Sequence, residues 1–339
     1  MIAGLDAKGA LAGLSAVLVL AAGIVVGSRN LRTYDPILLT YTFGALSSAF
    51  AVAYRYAVWL QRPPTALTVR RGFQLVRRGR VARNLAFVAR AAFANLAAHR
   101  FIRRRGFMRW CVHFLIAWGC LIAGAVTFPL VFGWLHFESL PDRPETFRAV
   151  FLGVTLLRFD LDSPVRFVLF NLLNLSAVMV IVGAGLALRR RLRDPASMSR
   201  QQFGNDLVPL ILLLAISFTG LLLTFSTHAL GGAGSQALSL IHAVTVSLAL
   251  LYVPFGKFFH VFQRPAHLAA ILYRRENVNG PQAACRRCGG PFAGAMHVND
   301  LKALTTSMGF SLDLDTCPAC KRRAIGVAQG RLRAEVGRG

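Results

Sequence analysis

Two histidines in one apolar stretch of the chain have the spacing best suited to metal chemistry. The stretch runs from Ile241 to His267 and holds His242 and His260, eighteen residues apart. In a continuous α-helix, eighteen residues make about five turns, which puts both imidazoles on one stripe and about 27 Å apart along the axis. That distance approaches the thickness of a bilayer core, about 30 Å. Because side chains of this kind are rare at such depth and tend to be functional, the spacing predicts axial ligation of haem iron.

Four cysteines near the end of the chain form a second candidate site. They occur as two C-x-x-C pairs, Cys285 with Cys288 and Cys317 with Cys320, separated by 28 residues. Thiolates at this spacing are typical ligands of zinc or of a single iron. The segment 269–339 is short and has few aromatic residues, so it buries little apolar surface. The metal is therefore expected to supply much of its folding free energy. Structural zinc is favoured here over a redox-active iron.

The composition indicates a membrane protein. Of the 339 residues, 55% are hydrophobic and 16% are charged, and the mean hydropathy is +0.51. A soluble domain would carry about 25% charged residues. Lys and Arg number 39 against 14 acids, which gives a net charge of +25, and the bases concentrate between the apolar segments. This pattern indicates cytoplasmic loops that contact anionic lipid or an acidic partner, and it argues against nucleic acid as the partner.

Six apolar segments are long enough to cross a bilayer. The predicted spans are 10–26, 36–60, 108–132, 165–188, 207–227 and the stretch that begins at Ile241. The segment 61–105 contains no Asp or Glu and many arginines, which predicts a cytoplasmic position. Apolar residues recur within it at helical spacing, so we expect an amphipathic helix that lies on the membrane or beneath a partner. The segment 137–163 is rich in acids and is expected to be an external loop, which leaves both termini in the cytoplasm.

These features predict an all-α transmembrane helix bundle with a small cytoplasmic C-terminal metal-binding domain. The predicted parts are two additional transmembrane helices over 1–60, a basic amphipathic loop over 61–105, a four-helix haem-binding domain over 106–268 and a four-cysteine domain over 269–339. In this topology His113, near the cytoplasmic end of the third span, lies at the same depth as His260. Two imidazoles at matching depth on different helices are what one bis-histidine haem b requires.

The segment 106–268 resembles the membrane gamma subunit of respiratory nitrate reductases, which is a b-type cytochrome. The matching residues are Arg109 and Trp110 at the start of a span, His113 shortly after them, and the final pattern His242, Pro254, Phe255, His260 and Pro265. The resemblance implies an inner-membrane subunit that exchanges electrons between the quinone pool and a cytoplasmic iron–sulfur or flavin subunit. It also implies that His113 and His260 hold one haem b.

The same resemblance leaves a second haem open. His242 matches one ligand of the family's outer haem, but the position of the opposite ligand is occupied by Ala123. His228, at the outer end of the fifth span, is then the candidate partner for His242. The other interpretation of His242 is a hydrogen-bonded core histidine or a residue of a quinone site.

Two functions of other classes also stay open. A transporter is disfavoured because the predicted spans contain no Asp or Glu that could couple ion movement. A membrane-tethered interaction protein is compatible with the cysteine segment, which resembles a zinc ribbon or rubredoxin except that Lys321 stands where a rubredoxin knuckle has glycine. Such a protein would need no haem. We assign no catalytic side chain from the sequence.

Overall fold

The computed structural model describes residues 6–32, 37–77, 81–199 and 201–336. The protein is mostly helical. Its helices are α1 (Ala7–Gly27), α2 (Leu38–Gln61), α3 (Pro63–Arg77), α4 (Val81–Ala92), α5 (Arg100–Arg103), α6 (Phe107–Val131), α7 (Pro164–Arg193), α8 (Pro195–Met198), α9 (Val208–Ala229), α10 (Ser235–Tyr252), α11 (His260–Asn279), α12 (Ala295–Ser307) and α13 (Pro318–Val336). Short π-helical turns, Phe93–Ala97 and Phe203–Leu207, precede α5 and α9.

Five helical segments among the described residues are long and apolar enough to cross a membrane. They are Ala7–Gly27, Phe107–Val131, Pro164–Arg193, Phe203–Ala229 and Ser235–Tyr252. This finding supports the prediction of a membrane protein. The predicted span over 36–60 corresponds to α2, which carries Arg55 in its interior and is not among the five.

The apolar stretch that carries His242 and His260 is not one helix. α10 ends at Tyr252, a single 3-10 turn covers Lys257–Phe259, and α11 begins at His260 itself. Pro254 lies in the break, and proline opposes helix continuation because it lacks a backbone N–H and its ring clashes with the preceding turn. The prediction that the two imidazoles share one helical stripe is therefore wrong, and the spacing of about five turns does not apply to them.

The predicted external loop is a three-stranded antiparallel sheet. Its strands are β1 (Leu135–Leu140), β2 (Arg143–Phe151) and β3 (Val154–Asp160), in the order β1-β2-β3. Leu152 and Gly153 form the two-residue hairpin between β2 and β3, with φ of 47° and 84°. Two consecutive residues with positive φ match the twist of a tight hairpin. The all-α prediction is wrong for this segment.

The chain forms two units, and 1–58 with 94–263 make the first, the membrane unit. Within it α6 packs on α7, α7 on α9, and α9 on α10. Close approach of α6 and α7 depends on glycine, because a Cβ on Gly119 would lie 2.7 Å from a methyl carbon of Val180. Buried Ile24, Ala45 and Phe132 pack together and join α1 and α2 to this unit.

The second unit, the cysteine unit, comprises 59–93 and 264–339. It contains a two-stranded sheet of β4 (Gln282–Ala284) and β5 (Pro291–Gly294). Buried Asp300 on α12 accepts hydrogen bonds from Arg71 of α3 (Nη2 to Oδ1, 2.6 Å) and from Tyr273 of α11 (Oη to Oδ2, 2.9 Å). Burial and this hydrogen bond raise the pKa of Tyr273 to about 12. Part of the basic segment 61–105 thus folds with the cysteine segment, a grouping that the sequence did not predict.

Candidate functional sites

His113 of α6 and His260 of α11 lie next to each other in the membrane unit. Their ring centroids are 6.5 Å apart and their planes meet at 63°. Two imidazoles that bind one metal from opposite sides, with metal–nitrogen bonds of about 2 Å, have centroids roughly 6 to 6.5 Å apart. The observed separation therefore matches the one expected for two imidazoles that hold one metal.

The second ring nitrogen of His260 has a partner that fixes its tautomer. Nδ1 is hydrogen-bonded to the carbonyl oxygen of Lys257 in the 3-10 turn. A carbonyl oxygen only accepts, so Nδ1 carries a hydrogen, and in the neutral ring Nε2 is then the nitrogen with the lone pair. Metal-binding histidines commonly donate their other N–H to a backbone carbonyl in this way. His260 is also exposed, which leaves its ring accessible to a ligand.

An ion cluster around Asp206 anchors the turn that precedes His260. The buried carboxylate is paired with Lys257 and with Arg191 of α7, whose Nη1 lies 2.9 Å from Oδ1. Its other oxygen accepts the backbone N–H of Gln202 at 2.9 Å. Lys257 therefore holds Asp206 with its side chain and His260 with its carbonyl. Sequence reasoning missed Asp206, although an acid at the start of an apolar span is itself an unusual feature.

His99, in the arginine-rich segment, was interpreted from the sequence as an ordinary interfacial residue, but the structure buries it beside His113. It is 6% exposed and has the left-handed φ of 48°, and its ring centroid lies 4.8 Å from that of His113. Trp110 and Trp118 of α6 donate their indole N–H groups to the carbonyls of Ala98 and Ala97, at 2.8 and 3.0 Å. These bonds hold the segment before α5 against α6. His99 consequently restricts the ring of His113, and no spacing in the sequence indicates that contact.

His242 lies apart from this histidine group in its contacts. Its Nδ1 is 2.8 Å from Oγ1 of Thr219 on α9, and its ring borders a cavity of about 410 Å³. Ala123, which stands at the position of a haem ligand in the resembling family, borders the same cavity. His228 is exposed and is not among the described residues that line the cavity. The structure therefore gives His242 a threonine partner and shows no contact with His228.

The four cysteines come together in the cysteine unit. The sulfur atoms of Cys285, Cys288, Cys317 and Cys320 all lie within 4.8 Å of one another, and those of Cys288 and Cys317 are 3.9 Å apart. In a tetrahedral zinc site with Zn–S bonds of about 2.3 Å, the sulfurs are about 3.8 Å apart. The cluster can therefore bind a metal ion. Gly289, with φ of 69°, turns the chain directly after the first pair.

Backbone N–H groups point at the sulfurs of this cluster. The N–H groups of Cys317 and Arg287 lie 3.2 and 3.4 Å from Sγ of Cys285, and with the N–H of Cys288 they lower the pKa of Cys285 to about 6. Hydrogen bonds to the thiols of Cys317 and Cys288 instead raise the pKa of Cys320 to about 12. Without a cation the four thiols cannot ionise together, because neighbouring thiolates repel one another. A divalent metal supplies the charge that four thiolates need.

No protein-family model matches this chain, and no curated protein or solved structure matches it either. The resemblance to the nitrate reductase gamma subunit accordingly depends on the motif residues alone.

Proposed function

We propose that this chain is a membrane b-type cytochrome subunit that exchanges electrons between the quinone pool and a cytoplasmic iron–sulfur or flavin subunit. The observation that carries the proposal is the His113–His260 pair, with ring centroids 6.5 Å apart and Nδ1 of His260 engaged by a backbone carbonyl. Both features are expected of axial haem ligands in a helical membrane protein. The five apolar helices provide the surrounding bundle.

In this proposal the protein's own residues set the ligation and the haem supplies one-electron chemistry when bound. The carbonyl of Lys257 keeps the proton on Nδ1 of His260, so Nε2 is the nitrogen that would hold the haem iron. Asp206 holds Lys257 in place, and His99 packs against the ring of His113. Each contact restricts a histidine that would hold the haem, which would lower the entropic cost of binding it.

The cysteine unit serves in this proposal as a docking module that carries structural zinc. Exposed bases surround the two knuckles: Arg286, Arg287, Arg322 and Arg323. A positive surface of this kind favours an acidic partner and speeds encounter with it. We place the chain in the inner membrane with both termini in the cytoplasm, because the arginine-rich segments belong there by the positive-inside rule.

A second candidate function is that of an interaction protein without haem, in which the membrane helices tether a metal-binding domain. It is favoured by one observation, namely that the four-cysteine cluster is complete without any histidine of the membrane unit. The two candidates differ in one requirement, since only the cytochrome needs stoichiometric haem.

The test is a dithionite-reduced minus oxidised visible spectrum of the purified full-length protein, with haem and metal quantified per chain. The cytochrome proposal expects a b-type spectrum and about one haem per chain. Protein that is expressed with ample haem and still contains none, yet carries one metal ion, would support the tethered interaction protein instead.

Asp206→Asn is expected to lower haem affinity about tenfold, as is typical when a group supporting a metal ligand is removed. The substitution leaves Lys257 and Arg191 without their carboxylate and loosens the turn that orients His260. Haem content after a dilution and detergent wash measures the effect. Asp142→Asn, in the exposed turn between β1 and β2, is the matched control. Equal haem retention in both variants would show that Asp206 does not support haem binding.

A further inference from the structure

The cavity beside His242 has the size and surface of a site for a small apolar ring. Its volume of about 410 Å³ is within the range of about 300–1,000 Å³ found for small-molecule sites. Residues from α2, α6, α7, α9 and α10 line it, so it lies inside the membrane unit. Small residues create the space: a Cβ built on Gly124 would meet nothing within 4 Å, and one on Gly220 would meet only the His242 ring, at 3.5 Å.

Apolar side chains form most of the cavity wall, and three of the polar residues in it, His242, Asn174 and Thr224, belong to two defined hydrogen-bonded pairs. One pair is His242 with Thr219, at 2.8 Å. The other is Asn174 of α7 with Thr224 of α9, whose hydroxyl donates to the amide oxygen of Asn174 at 2.9 Å. A mainly apolar cavity with placed polar groups suits an apolar ligand that carries hydrogen-bonding groups.

The Thr219 hydroxyl allows the imidazole of His242 to present either a donor or an acceptor. It has one hydrogen, which can go to the carbonyl of Ala215, 2.8 Å away, or to Nδ1 of His242. In the first case Nδ1–H donates to Thr219 and Nε2 is an acceptor for a ligand hydroxyl. In the second case Nε2 carries the hydrogen and donates to a ligand carbonyl. The same pair thus accommodates a ring hydroxyl and a ring carbonyl.

A second haem does not suit this cavity. Six-coordinate ligation needs a second axial group, and the residues that line the cavity in the described chain include no second histidine, cysteine, methionine or lysine. The one tyrosine in the lining, Tyr41, would have to bind iron as a phenolate, a charge that the mainly apolar wall disfavours. At the position where the resembling family has its ligand, the wall is formed by the methyl group of Ala123.

We propose that this cavity binds the headgroup of a membrane quinone, in both its quinone and hydroquinone forms, with Nε2 of His242 hydrogen-bonded to one of the oxygen atoms on the headgroup ring. The inference rests on the proposed function for the class of substrate, and it assigns that substrate to a site where the family resemblance would place a haem.

Saturable binding of a short-tailed benzoquinone, decyl-benzoquinone, to the full-length protein in lipid nanodiscs tests this site, with haem counted on the same samples. His242→Leu is expected to weaken binding about tenfold, as the loss of one buried hydrogen bond would. Ala123→Phe fills the cavity and is expected to abolish saturable binding. Thr245→Ala removes a hydroxyl from the same helix outside the cavity and should bind as the wild type does.

The outcomes separate this inference from the proposed function. Unchanged haem content with weakened quinone binding in His242→Leu and Ala123→Phe supports it. Loss of one of two haems in His242→Leu overturns it, because His242 would then be a haem ligand, and so does binding that Ala123→Phe leaves unchanged. Quinone binding that depends on His242 in a protein without any haem would support the site while refuting the cytochrome.

Discussion

Replacing His113 or His260 with alanine is expected to reduce the haem content of the purified protein at least tenfold. Each substitution removes one of the two proposed haem ligands, and even loss of a group that merely supports a ligand typically costs about 10–100-fold in metal affinity. The measurement is haem per chain together with the reduced-minus-oxidised spectrum. His267→Ala is the matched control, since His267 is an exposed histidine on the same helix as His260.

The two histidine variants must agree for the proposed ligand pair to hold. Wild-type haem content in both would refute the pair. If His113→Ala alone keeps its haem while His99→Ala loses it, the ligand is His99 instead, whose ring lies 4.8 Å from that of His113. This comparison therefore tests the residue assignment as well as the cytochrome proposal.

Replacing Cys285 and Cys317 together with serine is expected to release the metal and unfold the cysteine unit. Both side chains are buried, at 3% and 8% exposed, and each supplies one of the four sulfurs. Structural zinc contributes about 10–16 kcal/mol in finger peptides, which is as large as the whole stability of a typical domain, about 5–15 kcal/mol. Metal per chain and protease cleavage within 264–336 are the measurements.

Cys111→Ser with Cys120→Ser provides the control for the cysteine variant, because both thiols lie on α6 and outside the cluster. The control should keep its metal and its protease resistance. Haem content should be unaffected in the Cys285 and Cys317 variant, since the proposed haem ligands belong to the membrane unit. A protein that retains one metal ion without these two cysteines would contradict the four-cysteine site.

The features predicted correctly from the sequence are those encoded over short distances. The apolar composition of α6, α7, α9 and α10 is a local property, and the spans at these positions appear in the structure. The four-cysteine site could also be predicted from the sequence, because C-x-x-C spacing by itself presents two thiols to one metal. The structure brings the two pairs together as expected.

Most of the features that were missed depend on contacts between distant parts of the chain. The exception is the helix break between His242 and His260, for which Pro254 is a local signal that the periodicity argument passed over. Asp300 recruits Arg71 from 229 positions away, which no local pattern reveals. His99 and Asp206 likewise gain their importance from neighbours on other elements. Local patterns therefore identified the chemical groups, and tertiary contacts decided which of them meet.

The ion cluster that anchors the Lys257 turn also has an electrostatic consequence for electron transfer. One carboxylate, Asp206, faces two cations, Arg191 and Lys257, so the cluster carries a net positive charge. Positive charge near a redox centre stabilises the form that holds the extra electron and raises its reduction potential. For a haem held by His260, the contacts that orient this histidine would therefore also raise the haem's reduction potential and favour its reduced form.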